Sequence, residues 1–268
     1  MTVTVSGDHR YDEPAELANV VASLPAPLLL CTDIDGTLSV ITPTPGEARL
    51  IDGADDALRA LVRAGIDVAV VSGRPMAELV RQFQLPRTLH LVGSHGVEFE
   101  QSPPRTEHES ELLDRVDVIL SEIAASHEGA EVERKPFASA LHVRRCAADV
   151  GDDALREAHA VIDAIDGVHV LPGHQVYEVV VRDMTKVDAL AELQRRVDPS
   201  SVVFVGDDQS DEMVFVSFAE PTPDARERLI GVRIGVKVGA GDSVAAHRLR
   251  SPDDAVQFLQ SLVTLITD

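Results

Sequence analysis

The sequence predicts an α/β protein with an open, parallel, Rossmann-like sheet, into which a small α+β domain is inserted. Short apolar runs alternate with amphipathic helical segments in both halves of the chain. This rhythm changes between about residues 105 and 182, and clusters of polar residues follow three of the apolar runs. Open parallel sheets bind their ligands at the carboxyl ends of the strands, so these clusters are also the first candidates for a site.

The first half of the chain alternates between strands and helices. Residues 28–31 form a continuous apolar run, which is typical of a strand buried on both faces of a parallel sheet. Apolar residues then recur at helical spacing over 54–62. The same order repeats with a strand over 66–71, a helix over 76–83 and a strand over 89–92.

The second half returns to this pattern after a long gap. Apolar runs over 202–205 and 232–238 predict two more strands, and helical spacing over 255–266 predicts a closing helix. A further helix, containing Leu190 and Leu193, precedes them. These elements complete the predicted open sheet.

The intervening segment predicts a different architecture. Its helices and short strands follow in the order αββαββ, over residues 112–123, 131–134, 140–144, 155–165, 168–171 and 176–181. Pro103-Pro104 and Arg182-Asp183 bracket it. We therefore assign residues 1–104 and 183–268 to the core and residues 105–182 to an inserted domain.

Composition excludes several classes of function. The formal net charge is −21 at pH 7, which repels a polyanionic backbone or an anionic lipid surface. Residues 1–27 lack the basic flank and apolar stretch of a signal peptide, and no run approaches the roughly 20 apolar residues of a membrane span. We expect a cytoplasmic monomer without nucleic-acid or membrane partners.

The most informative motif is Asp33-Ile34-Asp35-Gly36-Thr37, directly after the first buried strand. A carboxylate can attack phosphorus only if a cation offsets the repulsion between two anions. Asp33 would therefore share Mg²⁺ with the phosphoryl oxygens, while Asp35 handles the leaving-group proton. The alternative is that these residues only close a strand and cap a helix.

Two further features are suited to phosphate binding. Ser72-Gly73-Arg74 places a hydroxyl, backbone amides and a guanidinium at the start of a helix. Lys186 begins another helix after the inserted domain and would hold phosphate as a point charge. The alternatives are an ordinary helix cap for the first and a solvated helix residue for the second.

A third strand end carries three aspartates and a glutamate within residues 206–212. Like charges at that density are costly, and a hard divalent cation with oxygen ligands relieves the cost. We assign Asp207 as a direct Mg²⁺ ligand. We expect Asp208 and Asp211 to lie next to the direct ligands and to orient them without binding the metal themselves. The alternative is that the carboxylates cap a helix that starts near Ser210, with Asp211 and Glu212 serving only its macrodipole.

The order of these motifs resembles the haloacid dehalogenase superfamily of phosphatases. Within it, the chain looks like the trehalose-6-phosphate phosphatases, whose patterns match residues 33–38, 72–74, 93–98 and 206–212. The resemblance covers roughly residues 27–266 and implies a haloacid dehalogenase core with an inserted cap. The core residues that fit the family are Asp33, Asp35, Ser72, Lys186, Asp207, Asp208 and Asp211.

The resemblance also implies a reaction and a set of sugar contacts. Asp33 would form an aspartyl-phosphate while Asp35 protonates the sugar oxygen and then activates water. Asp33, Asp207 and the backbone carbonyl of Asp35 would hold Mg²⁺, and Ser72 and Lys186 would orient the phosphoryl group. The residues that match sugar-facing positions of the family are His95, Glu133, Lys135, His142, Arg144, Gly173 and Glu178.

Several positions depart from the family pattern. Val143 replaces a tyrosine, which predicts the loss of one sugar-facing hydroxyl, and Val179-Val180-Val181 lacks an expected arginine. Val187 replaces the glycine that usually follows the lysine. An alternative for the cap strand is that His142 and Arg144 are simply exposed while Leu141 and Val143 pack inward.

These observations leave three functions to compare. The first is a Mg²⁺-dependent phosphatase for trehalose 6-phosphate. The second is a phosphatase for another phosphorylated disaccharide or pseudo-disaccharide, or for mannosylglycerate phosphate. The third is a silent regulatory partner of a trehalose-phosphate synthase, which the joint presence of Asp33, Asp35, Lys186 and Asp207 disfavours.

Overall fold

The structure, a computed structural model, describes residues 11–42, 44–100, 102–171, 173, 175–219 and 232–267. Its strands are β1 (Leu28–Thr32), β2 (Asp67–Val71), β3 (His90–Val92), β4 (Glu131–Arg134), β5 (Ala138–His142), β6 (His169–Leu171), β7 (Val176–Val180), β8 (Ser201–Gly206), β9 (Val232–Val238) and β10 (His247–Leu249). Its α-helices are α1 (Pro14–Ala22), α2 (Ala54–Arg63), α3 (Met76–Arg81), α4 (Glu107–Ser126), α5 (Ala148–Ile162), α6 (Lys186–Val197), α7 (Gln209–Ala219) and α8 (Pro252–Thr267).

Six strands form a parallel sheet in the order β10-β9-β8-β1-β2-β3. All five residues of β1 are buried, because helices cover both faces of the sheet. Apolar side chains of α1, α2 and α8 pack on one face, and those of α6 and α7 pack on the other. The predicted α/β class with an open parallel sheet is confirmed.

The inserted segment forms a separate antiparallel sheet in the order β4-β5-β7-β6. Side chains of α4 and α5 pack against one face of this sheet in a core of their own. The observed order α4-β4-β5-α5-β6-β7 is the predicted αββαββ order. The domain boundaries near residues 105 and 182 stay our proposal.

The two connections between the sheets meet at Arg182. Its guanidinium donates hydrogen bonds to the carbonyl oxygens of Pro103 and Pro104 at 3.1 and 3.2 Å and pairs with Glu109 at 2.8 Å. This arginine holds the pKa of Glu109 at about 2. Thr106 and Glu109 also form a capping box that begins α4. Both connections between the core and the inserted domain are therefore fixed to the N-terminus of α4.

Some elements differ from their predicted bounds. The strand expected over 140–144 is β5, which ends at His142, because the backbone N–H of Cys146 donates to the carbonyl of Val143 and forms a turn. Arg144 consequently lies in a turn and not on a strand. The sequence analysis missed α1 and the three-residue strand β10. Among the residues that the structure describes, no helix combines the length and hydrophobicity that crossing a membrane requires.

Candidate active site

Three polar segments meet where neighbouring strands of the core sheet end. Asp33 follows β1, Ser72 follows β2 and Asp207 follows β8. Because β1 pairs with β2 on one side and with β8 on the other, the three carboxyl ends lie side by side. The backbone N–H of Asp33 donates to the carbonyl of Val205 at 2.9 Å, which joins the first and third segments directly.

A buried lysine joins two of the aspartates. Lys186 Nζ lies 2.7 Å from Asp33 Oδ2 and 2.7 Å from Asp211 Oδ1, and the lysine side chain is 0% exposed. Thr185 begins α6 with a capping box and so places Lys186 at the first position of the helix. Burial opposes its charge, but attraction to Asp211 and Asp33 raises the pKa of Lys186 well above its ordinary value. The lysine is therefore a fixed cation in the site.

Asp207 lies at the mouth of this cluster. Thr37 Oγ1 donates to Asp207 Oδ1 at 2.9 Å. Gly36 has a φ of +77°, and a Cβ there would lie 2.0 Å from Asp207 Oδ2. Only glycine permits this approach between the first and third strand ends.

The acidic cluster fits a divalent cation. Carboxylate oxygens of Asp33, Asp207 and Asp211 lie within 4.8 Å of one another, and all three are oxygen ligands of the kind that Mg²⁺ prefers. Burial and repulsion from Asp33 and Asp208 raise the pKa of Asp207 to about 7. Asp211 has fewer free positions, because it also accepts from the backbone amides of Asp207 and Asp208 at 2.9 and 3.1 Å. Asp207 therefore keeps more free oxygen positions for a cation than Asp211 does.

The raised pKa of Asp207 predicts an unusual pH dependence of stability. Between about pH 4 and pH 7 the Asp207 carboxyl binds more protons in the folded, metal-free protein than in the unfolded chain, so the contribution of this group to the free energy of unfolding should fall as pH rises. The expected fall is up to about 4 kcal/mol, because one pKa unit corresponds to about 1.4 kcal/mol. Saturating Mg²⁺ should remove the fall, since the cation binds the ionised carboxylates.

Urea unfolding at a series of pH values, with EDTA or with Mg²⁺, measures this effect. The matched control is Asp207→Asn, in which the EDTA curve should lose the part of its slope that Asp207 contributes, while Asp33 and Asp211, whose pKa values burial also raises, keep theirs. Parallel curves with and without Mg²⁺ would contradict the assignment of the cluster as a metal site.

Asp208 and Glu212 have structural partners. Asp208 Oδ1 accepts from Ser210 Oγ at 2.7 Å and from the backbone N–H of Asp211 at 2.9 Å, which caps α7. Glu212 Oε1 accepts from the backbone N–H of Val244 at 2.7 Å. The capping alternative therefore applies to Asp208, whereas Asp211 is buried against Lys186.

The Ser72-Gly73-Arg74 segment follows β2 and lines the same space as Asp33. Ser72 is buried, and its Oγ accepts from the backbone N–H of Arg74 at 3.3 Å. The Arg74 guanidinium pairs with the carboxylate of Asp35. A Cβ on Gly73 would lie 2.5 Å from the His95 ring, so the histidine covers this glycine.

The inserted domain turns a polar face of its sheet toward these residues. Lys135 Nζ lies 2.8 Å from both carboxylate oxygens of Glu178, and His142 Nε2 lies 2.9 Å from Glu133 Oε2. Burial opposes ionisation of Glu178, but Lys135 and His95 hold its pKa at about 2. The His142 hydrogen bond lowers the pKa of Glu133. Both glutamates are therefore carboxylates at neutral pH.

The predicted residues of the core and of the inserted domain share a cleft of about 260 Å³. Those that line it are Asp33, Asp35, Ser72, Gly73, Arg74, His95, Glu133, Lys135, His142, Arg144, Asp207 and Asp208. An adjoining pocket of about 200 Å³ is lined by Gly173, Glu178 and Lys186, together with His95, Arg144 and Asp208. Asp211 lies beneath the cleft and is fully buried.

The positions that depart from the family pattern do not all face this cleft. Val143 is buried in the core of the inserted domain with Leu141 and Val179, which agrees with the alternative that Leu141 and Val143 pack inward. Val187 packs against the core of the parallel sheet. Val180 differs, because β7 alternates and puts it on the same face of the sheet as Glu178.

Sequence reasoning missed Lys237. This residue of β9 is buried, and its Nζ donates to the backbone carbonyl of Asp207. A usable signal was present, since the chain contains three lysines, Lys135, Lys186 and Lys237, and each of them bonds to a residue of the site.

The sequence also matches a known family over most of its length. Residues 31–253 match the family model described as trehalose-phosphatase. The trehalose-6-phosphate phosphatase of Escherichia coli is 31% identical over 241 residues, which cover 87% of this chain and 86% of that protein. A Mycobacterium tuberculosis protein named as an uncharacterized glycosyl hydrolase is 35% identical over 250 residues. That match covers 86% of this chain but only 18% of the relative.

The fold has a close counterpart among solved structures. The C-terminal domain of Candida albicans trehalose-6-phosphate phosphatase superposes with a TM-score of 0.76 at 23% sequence identity. The match covers 95% of this chain and 97% of that domain. At this identity the similarity extends to the fold alone.

Proposed function

This chain belongs to the trehalose-phosphatase family, and from that premise we propose that it is a Mg²⁺-dependent phosphatase that hydrolyses trehalose 6-phosphate to trehalose and phosphate. One observation carries the proposal. The buried cluster of Asp33, Lys186 and Asp211 opens into a cleft that is closed on its other side by the paired polar residues of the inserted domain.

In the proposed reaction, the Asp33 carboxylate attacks phosphorus and the bond from phosphorus to the sugar oxygen breaks. Asp35 gives its proton to that oxygen, which leaves as the hydroxyl of trehalose. Water then attacks the phosphorus of the aspartyl-phosphate and loses a proton to Asp35, and the bond from phosphorus to the Asp33 oxygen breaks. Phosphate leaves, and both aspartates return to their starting states.

The other core residues orient the phosphoryl group and offset its charge. Lys186 is a fixed cation beside Asp33, and Ser72 adds a hydroxyl at the neighbouring strand end. We propose that Asp33, Asp207 and the backbone carbonyl of Asp35 hold Mg²⁺, with Asp208 and Asp211 supporting them. The bound cation would neutralise charge on the phosphoryl oxygens and so permit attack by an anion.

The inserted domain acts as the sugar-binding cap in this proposal. Glu133, Lys135 and Glu178 carry fixed charges that suit hydrogen bonds to sugar hydroxyls. His142, Arg144 and Gly173 line the same space. His95 lines both pockets, and its Nε2 lies 3.8 Å from Glu178 Oε2. A cap in this position would also exclude bulk water from the reacting centre.

A second substrate class is favoured by one residue. Val180 lies on the face of Glu178, within the stretch Val179-Val180-Val181 that lacks the arginine of the family pattern, and a possible hydrogen-bond donor is thus missing there. This favours a phosphorylated disaccharide or pseudo-disaccharide other than trehalose 6-phosphate, or mannosylglycerate phosphate. The catalytic residues and the reaction would be unchanged.

A panel of phosphate-release assays tests both candidates. The protein is incubated with trehalose 6-phosphate, sucrose 6-phosphate, glucose 6-phosphate, mannosylglycerate phosphate and 4-nitrophenyl phosphate, each with Mg²⁺ or with EDTA. We expect Mg²⁺-dependent release and the highest kcat/KM for trehalose 6-phosphate. A higher value for another sugar phosphate would reassign the substrate. Binding without release from any of them would favour the silent regulatory alternative.

The cap should control binding of the sugar and not the chemistry. Glu178→Gln keeps the shape of the side chain but removes its charge, and we expect KM for the sugar phosphate to rise by about 10- to 100-fold. The kcat/KM for 4-nitrophenyl phosphate, which carries no sugar, should stay within the error of the assay. The matched control is Glu131→Gln, an exposed glutamate of β4 that pairs with Arg145. An equal loss on both substrates would indicate that Glu178 only stabilises the cap.

A further inference from the structure

Asp35 is held by a two-pronged contact with Arg74. Arg74 Nε lies 2.5 Å from Asp35 Oδ2, and Arg74 Nη2 lies 2.8 Å from Asp35 Oδ1. Such a fork fixes both the position and the plane of the carboxylate, because the guanidinium donors are themselves coplanar. A single hydrogen bond would leave the carboxylate free to rotate.

The guanidinium is in turn immobilised by its surroundings. Arg74 Nη1 lies 3.3 Å from Glu78 Oε2 and 3.3 Å from Gln82 Oε1, both on the helical segment that follows it. The guanidinium carbon lies 5.0 Å from the centre of the Phe83 ring. Arg74 is only 9% exposed. The fork is therefore anchored to the core of the parallel sheet.

Asp35 needs such an anchor more than Asp33 does. Its side chain is 34% exposed and lines the cleft, whereas Asp33 is buried and bonded to Lys186. Each carboxylate oxygen has two lone pairs, so both oxygens of Asp35 can accept from Arg74 and still exchange a proton with a group in the cleft. Proton transfer requires this carboxylate within hydrogen-bond distance of the reacting oxygen.

We propose that Arg74 is a positioning residue for the proton-transfer group Asp35, and not the phosphate ligand that the sequence motif predicts. The inference rests on the proposed function, because it assigns Asp35 the proton transfers of both steps. In this proposal Arg74 acts through Asp35, whose carboxylate it holds in place.

The test compares a substrate that needs a proton donor with one that does not. Departure of a sugar oxygen requires protonation, whereas 4-nitrophenolate is a stable anion that leaves without a proton. Arg74→Lys keeps the charge but loses the fork. We expect kcat for trehalose 6-phosphate to fall by about 10²-fold with little change in KM.

In stopped-flow traces, the first turnover of 4-nitrophenyl phosphate should stay near the wild-type rate and the steady state should slow, because the second step still needs Asp35 as a base.

Two further variants complete the design. Asp35→Asn should show the same pattern more strongly, and Arg74→Ala should recover part of its sugar-phosphate turnover when methylguanidinium is added. The matched control is Arg87→Lys, at an exposed arginine that pairs with Glu100 far from the cleft. Thermal unfolding of each variant checks that the fold is retained.

Each result decides between roles. A rise in KM for both substrates with kcat unchanged would restore the phosphate-binding role, and an equal loss of first turnover on both would indicate a structural role. Unchanged sugar-phosphate turnover would also overturn the proposal. The wild-type protein tests the proposed function separately, because that function fails if the protein releases no phosphate from any sugar phosphate. The first turnover and the steady-state rate with 4-nitrophenyl phosphate would still measure the effect of Arg74 on Asp35.

Discussion

Replacement of Asp33 by asparagine is expected to abolish phosphate release while the fold stays intact. The substitution removes the attacking carboxylate but keeps its shape, and loss of a covalent nucleophile costs at least about 10⁴-fold in kcat. The fold should survive because Lys186, the partner of Asp33, keeps its second contact with Asp211 at 2.7 Å. The loss of one member from a group of buried carboxylates also relieves repulsion around Asp207.

The measurement is phosphate release from trehalose 6-phosphate beside urea unfolding of the same preparation. Asp153→Asn serves as the control, since Asp153 is an exposed aspartate of α5 that pairs with Arg156 on the surface of the inserted domain. Retained turnover in Asp33→Asn would refute the nucleophile assignment. Lost turnover together with lost cooperative unfolding would indicate that Asp33 is needed for the fold instead.

Replacement of Lys186 by methionine is expected to reduce both stability and activity. Lys186 has no exposed side-chain surface and is the cation between Asp33 and Asp211. Its removal leaves buried carboxylates without a partner, which costs about 3–5 kcal/mol in the free energy of unfolding. Turnover should fall by about 10²- to 10³-fold, the range seen when a group that stabilises transition-state charge is removed.

A second lysine offers a matched comparison for this prediction. Lys237→Met also removes a buried ammonium, but its partner is the neutral backbone carbonyl of Asp207, so the expected cost is about 1–3 kcal/mol. Urea unfolding of both variants in EDTA at pH 8 measures the difference. Mg²⁺ should restore part of the stability of Lys186→Met, because the cation also offsets the carboxylate charges. Equal losses in the two variants would contradict a special role for Lys186 in neutralising the cluster.

Much of the core and its chemistry could be predicted from the sequence. Burial on both faces makes residues 28–31 of β1 continuously apolar, and this run ends one residue before the strand ends at Thr32. The residues that follow, such as Asp33 and Asp207, therefore lie at the edge of the sheet where ligands bind. Local patterns determine these features, so a single sequence reveals them.

Side-chain partners could not be predicted in the same way. Arg74 and Asp35 are 39 positions apart, and Lys186 and Asp33 are 153 positions apart. A guanidinium at a helix start suits phosphate or a carboxylate equally well, and the choice depends on which group the packing of α3 against the sheet brings within reach. The same holds for Asp208 and Asp211: Asp211 is fully buried 2.7 Å from Lys186 Nζ, whereas Asp208 lies 3.9 Å from it and caps α7.

The inserted domain separates the features that local sequence predicts from those that tertiary packing sets. Its order of helices and strands followed from hydrophobic spacing, which is a local property of the chain. Which of Val143 and Val180 lies on the Glu178 face of the sheet depended on where β5 ends, on the register of β7 and on the face that α4 and α5 cover. The sequence by itself therefore determined the α/β core, the inserted domain and the residues at the strand ends. The tertiary structure alone decided their pairings and orientations, because these depend on packing between elements that are distant along the chain.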